Sequence, residues 1–142
     1  MECCEAEVHG AITPSLHHSI TPFLIMEVQA ITKNVRMSAQ KMREVVRQIQ
    51  GLPAAHAQAV LAVVPRKGAR FVAKTLKSAI ANAEDLKTHK KEYGGMATDR
   101  LRIKEAVAQT AATLRRFTPK ARGSAGPILK RSCHIKIVLS DE

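Results

Sequence analysis

Cys133 and His134 form the chain's one adjacent thiol–imidazole pair, the natural first place to look for nucleophilic chemistry. They lead into the alternating segment "HIKIVLS", which reads as a strand, and neighbours in a strand point to opposite faces. Adjacency therefore keeps them apart, and no nearby carboxylate would orient the imidazole. The other cysteines, Cys3 and Cys4, make no C-x2-C pair and no disulfide framework. Together with His9, His17 and His18 they offer ligand atoms, but at a spacing that fits no metal template. No Gly-rich phosphate loop and no catalytic triad pattern occurs. The residues predict no catalysis, no metal and no cofactor; the thiols read as reduced, in a reducing compartment.

The chemistry that remains is binding. "ATLRRFTPKARGSAGPILKRSCHI", residues 112 to 135, carries Arg115, Arg116, Lys120, Arg122, Lys130 and Arg131 and no Asp or Glu. Lys and Arg neutralise phosphates and release counterions, and Arg also forks onto phosphates and stacks on bases. An acid-free run of this kind asks for a polyanion. Phe117 is its one aromatic residue. It could stack on a base or wedge into the segment's own packing. A base-stacking recognition sheet needs several exposed aromatics, and aromatics are only 3% of this chain.

The charge of the whole agrees. Of the 12 acidic side chains, Glu2, Glu5 and Glu7 precede residue 26, leaving nine beyond it against all 23 Lys and Arg. Such an imbalance repels itself unless an anion is present. Nucleic acid is the first candidate and an anionic membrane surface the second. The longest apolar run, Ala59 to Val64, is far short of the about 18 residues of a membrane span. The acidic, Arg-free start resembles neither a secretory signal nor an organellar transit peptide. Residues 1–25 are expected to be a disordered extension or an upstream start, with Met26 opening a single domain over 26–142.

That domain must position the basic segment. "EVQAITK" (27–33) predicts a strand facing inward through Val28, Ala30 and Thr32. Ser38 suits an N-cap, and Ala39, Met42, Val45, Val46 and Ile49 share one helical face before Gly51 and Pro53. A second short helix is predicted from Pro53 to about Ala62. A third opens near Pro65 and runs to about Glu84, with Val72, Leu76, Ala79, Ile80 and Ala83 inward and Arg66, Lys67, Arg70, Lys74 and Lys77 wet. "KTHKKEYGGMATD" (87–99) reads as a loop, and its lysines Lys87, Lys90 and Lys91 as solvated.

From Arg100 the period becomes two. Leu101, Ile103 and Val107 alternate with Arg102, Lys104 and Ala106, and later Ile135, Ile137 and Leu139 alternate with Lys136 and Val138. The simplest topology is a hairpin over about 105–135 with the basic stretch as its loop. Extended from Glu105 to Lys120, such an arm would reach roughly 50 Å. The domain itself is only some 30 Å across by size scaling. A bare ribbon of that length lacks a second apolar face and has open edges, so its order would come from a bound partner.

"SAQKMREVVRQIQG", "KSAIANAE" and "TLRRFTPKARGSAGPILKRSCHIKIVLSD" together resemble the bacterial-type large-subunit ribosomal protein numbered twenty-two in the universal naming, over about Glu27 to Asp141. The resemblance implies an α+β fold of three helices on a small three-stranded antiparallel sheet, with a long protruding β-hairpin. It implies a domain on the outer face of the large subunit that binds rRNA early in assembly beside neighbouring ribosomal proteins; the Arg-free N-terminus favours the bacterial cytoplasm over an organellar ribosome. The hairpin would run inward to line the nascent-peptide tunnel. Leu114, Arg115 and Arg116 match its tunnel side and Ala121, Arg122 and Gly123 its tip, with Phe117 and Lys120 between; Ser38, Lys41 and Arg43 match the Ser-x-x-Lys-x-Arg start of the first helix. The family's acidic-Gly-Pro turn before the basic stretch is Thr110-Ala111-Ala112 here. From charge and pattern, rRNA anchors are expected at Ser38, Lys41, Arg43, Arg66, Lys67, Arg70, Lys74, Lys130, Arg131 and His134. No membrane and no small-molecule substrate is expected. The rival reading is a free, architectural nucleic-acid-binding protein.

Overall fold

A computed structural model describes residues 27–89 and 100–141. Its elements in chain order are β1 (Glu27–Val35), α1 (Ala39–Ile49), α2 (Ala54–Val63), α3 (Lys67–His89), β2 (Leu101–Thr110), β3 (Leu114–Pro119), a 3-10 turn (Ala121–Gly123), β4 (Ala125–Lys130) and β5 (Cys133–Asp141). The fold is α+β, with a three-stranded antiparallel sheet in the order β1-β5-β2 and a separate two-stranded ribbon of β3 and β4. The expectations for residues 1–25, and for most of the loop from Lys90 onward, lie outside the described residues.

The helices cover one face of the sheet. α1 lies over β2, α3 over β1 and β5, and α2 packs against α3. The five apolar positions of α1 are all buried, as their spacing requires. They meet Val72, Leu76 and Ala79 of α3 and Ile135, Ile137 and Leu139 of β5 in one aliphatic core. Full burial of each Leu or Ile contributes on the order of 1.5–3 kcal/mol. Gly51, at φ +80°, ends α1, and the chain then runs beside β2: Gly51 N–H donates to Ile103 O at 2.9 Å and Ile103 N–H to Leu52 O at 3.0 Å. Gly68 sits in the first turn of α3 against α1, where a methyl would stand 3.4 Å from Met37 Sδ, Met42 Sδ and Val45 Cγ2, at the near limit of ordinary contact.

Three sequence expectations shift. α3 continues past Glu84 to His89, because Leu86 still packs on the core and no breaker occurs before Gly94. Lys87 therefore belongs to the helix. In β2 the register slips between Ile103 and Glu105, making Lys104 the extra residue of a bulge. The inward face changes phase there, so Ala106 and Ala108 are buried in place of Val107.

The third shift concerns the arm. β2 and β5 do pair across the expected hairpin, from Glu105↔Val138 to Thr110↔Cys133, but as neighbours within the sheet. Beyond Ala111 N–H, which donates to Ser132 O at 3.0 Å, the ladder breaks and resumes at Leu114↔Lys130. Three residues on one side (111–113) face two on the other (131–132), and this imbalance breaks the stem. The ribbon that stands clear spans 114–130 and reaches roughly 25 Å at the usual rise per residue, about half the length the alternation implied.

Candidate nucleic-acid interface

β3 and β4 pair with no third strand, and register sorts their side chains into two faces. Leu114, Arg116 and Thr118 share one with Lys130, Ile128 and Gly126; Arg115, Phe117 and Pro119 share the other with Leu129, Pro127 and Ala125. Every residue of β3 is exposed. Each face thus mixes a guanidinium with uncovered apolar groups. A two-stranded ribbon alone is marginal in water. One with apolar side chains on both faces gains most by entering a crevice that covers both.

Phe117 is 77% exposed, opposite Pro127. Of the two roles open to it, packing within the hairpin is not the one adopted. Its ring is available to a base. Among the described residues, none of the six cations of the arm is ion-paired with a carboxylate. The Arg116 guanidinium turns back to donate to Arg115 O at 2.8 Å.

The tip is a tight turn. Lys120 N–H donates to Ser124 O at 2.7 Å, while Ser124 N–H and Oγ–H donate to Ala121 O at 3.3 and 3.0 Å. Reversal in so few residues puts both Arg122 (φ +57°) and Gly123 (φ +71°) in the left-handed region. Gly123 fits there; Arg122 pays about 1–2 kcal/mol for its Cβ. The Lys120 stem lies across Gly126, the buried residue of β4.

On the domain the expected anchors divide. Lys41, Arg66 and Lys67 gather with Met37 and Gly68 around one cleft. Arg66, Lys67 and Arg70 rim a second, larger one of about 830 Å³ at the α2–α3 turn, floored by Leu61, Val64 and Ala69. Lys74 continues the exposed face one turn on. Arg66 is already paired with Glu44, so its charge is partly spent. Ser38 occupies the N-cap position with extended backbone, but its hydroxyl makes no capping bond. Arg43 stands apart from this group: its Nε–H donates to Ala108 O at 3.2 Å, tying α1 to β2. Arg47 and Gln50 line the same small cleft. Arg47 lies one turn beyond Arg43, a spacing that could have revealed it in the sequence.

At the base of the arm Lys130 and Arg131 are exposed. His134 is half-buried on the open face of the sheet, and its Nδ1 accepts Asn34 N–H at 3.0 Å. That bond leaves Nε2 as the ring's outward donor in the neutral form. Asn34 itself is left-handed, φ +56°, at the irregularity that ends β1 pairing. Cys133 points the other way, is fully buried, and has its thiol pKa raised by burial. The two form no dyad, as strand geometry requires. Among the described residues no cluster of His, Cys, Asp and Glu could hold a metal, and no helix is long and apolar enough to cross a membrane. The N-terminal Cys3, Cys4, His9, His17 and His18 lie outside the described residues.

Comparison with known proteins shows the family. Residues 30–140 match the family model described as ribosomal protein L22p/L17e. The large ribosomal subunit protein uL22 of Opitutus terrae is 49% identical over 116 residues, covering 82% of this chain and 96% of that one. The corresponding protein of Akkermansia muciniphila is 44% identical over 117 residues, 82% of this chain and 98% of the relative. That of Methylacidiphilum infernorum is 46% identical over 117 residues, with 82% and 96% coverage.

Proposed function

The chain belongs to the ribosomal protein L22p/L17e family, and from that premise we infer that it is a structural constituent of the large ribosomal subunit. It binds large-subunit rRNA and carries no reaction of its own. The domain over residues 26–142 anchors on rRNA through Lys41, Lys67, Arg70 and Lys74, with Ser38 and Arg66 at the edge of the same surface. Arg43 contributes through its grip on β2. The ribbon enters between rRNA segments, where phosphates meet Arg115, Arg116, Lys120, Lys130 and Arg131, and His134 offers Nε2 at its base. Its tip, Ala121-Arg122-Gly123, lines the nascent-peptide tunnel. Docking of the arm orders rRNA early in assembly, in the cytoplasm, beside neighbouring ribosomal proteins.

One observation carries this reading above all. The ribbon exposes cations and apolar groups on both of its faces and has no carboxylate within it. That composition suits a crevice walled by phosphates and bases better than any flat surface. Sucrose-gradient sedimentation of a tagged chain in its own cells, at low and high salt, tests it. Co-migration with large subunits that survives the high-salt wash is expected. Migration in the light fractions, or ready release by salt, would replace the reading with a free architectural nucleic-acid binder.

A further inference from the structure

We propose that the outer edge of β1, with the groove beside it under α3, receives an extended Lys- and Arg-bearing segment of a neighbouring large-subunit protein, added as a fourth strand.

The two edges of the sheet are treated differently. The outer edge of β2 is covered at Ile103 by the α1–α2 turn, through its bonds with Gly51 and Leu52, and further along Arg43 Nε–H donates to Ala108 O. No described strand pairs with the outer edge of β1. Among the described residues, Asn82 Nδ2–H reaches this edge from α3 and donates to Gln29 O at 3.3 Å. That bond shows that Gln29 turns its backbone away from β5. In an antiparallel pair such residues alternate, so Ile31 and Lys33 direct their N–H and C=O groups outward as well. Open edges of this kind are templates for strand addition.

A groove of about 410 Å³ runs beside this edge, lined by Val28, Gln29, Asn82, Asp85 and Leu86 and closed at one end by Glu27. Ile31, half exposed, offers an apolar cross-strand partner. Charge selects the occupant. Glu27 and Asp85, two of the six carboxylates among the described residues of this basic chain, both line this groove. Glu27 is engaged by Lys104, so Asp85 supplies the field. Phosphates are repelled from such a rim, whereas a cationic strand gains both backbone bonds and ion pairs. The face opposed to rRNA is thereby distinguished from a face opposed to protein.

The inference rests on the chain's place in the large subunit, and the test separates the two. Gln29 is replaced by photoreactive p-benzoylphenylalanine in the full chain, large subunits are purified from the cells, and crosslinked peptides are identified by mass spectrometry. Absence of the chain from large subunits would overturn the functional reading itself. With the chain incorporated, a crosslink to a Lys- and Arg-bearing segment of another subunit protein is the expected result. Crosslinks to rRNA, to residues 1–26 of the same chain, or to nothing would overturn this inference alone. Ile31→Pro removes an outward N–H and no bond to β5, so it should leave incorporation intact and abolish the crosslink. The charge reversal Asp85→Lys should weaken the crosslink without displacing the chain; an undiminished crosslink in both variants would likewise refute strand addition.

Discussion

Neutralising the arm should change how binding responds to salt more than it changes the fold. The perturbation is Gln at all six positions Arg115, Arg116, Lys120, Arg122, Lys130 and Arg131 in the full chain. These side chains are exposed and, among the described residues, none is salt-bridged to a carboxylate, so the core is untouched. Each phosphate contact contributes about −0.7 to −0.9 to the slope of log K against log salt, so the five outside the tip, where Arg122 faces the tunnel, contribute roughly −4. Four anchors on the domain, Lys41, Lys67, Arg70 and Lys74, would contribute a further −3 or so on the same scale. The unaltered chain should therefore lose about four to five decades of affinity between 50 and 200 mM salt, and the variant about two. Filter binding to protein-free large-subunit rRNA across that range reads both slopes, and thermal melting by circular dichroism checks the fold. A slope changed by less than about one unit would refute the assignment of phosphate contacts to the ribbon.

Arg43→Ala removes the bond to Ala108 O that joins α1 to β2, and should cost about 1 kcal/mol in urea unfolding whether or not RNA is present. Val107→Lys should be nearly neutral to stability, whereas Ala108→Lys should unfold the domain, because the bulge at Lys104 puts Ala108 inside; thermal melts of the two compare them directly. Burial raises the Cys133 pKa, so the folded chain holds that proton more tightly than the unfolded one. The resulting stability is complete below the unfolded thiol's pKa of about 8.5 and is lost as pH climbs through the folded value, which urea midpoints between pH 7 and 10 should trace as a decline. The same thiol should resist a sulfhydryl reagent until unfolding exposes it, and rapid labelling of the native chain at Cys133, told apart from Cys3 and Cys4 by peptide mapping, would contradict its burial.

Charge and periodicity alone put nucleic acid ahead of an anionic membrane as the partner, and determined the aliphatic core of α1 and the strands that flank the basic run. Ala39, Met42, Val45, Val46 and Ile49 are readable because helical spacing is a local property, and every one is buried. The acid-free run from Ala106 to Ser140 is readable because charge needs no geometry. What the tertiary structure decided are matters of register and approach. The slip at Lys104 exchanged Val107 for Ala106 and Ala108, since one unpaired residue reverses every side chain beyond it. The break after Ala111 shortened the free arm, since β2 and β5 bury more by staying in the sheet. Arg43 became a tether and Arg66 the partner of Glu44, which follows from which neighbours the packed helices happen to meet. Composition sets what the chain can bind; only pairing between distant segments sets which cations are left free to bind it.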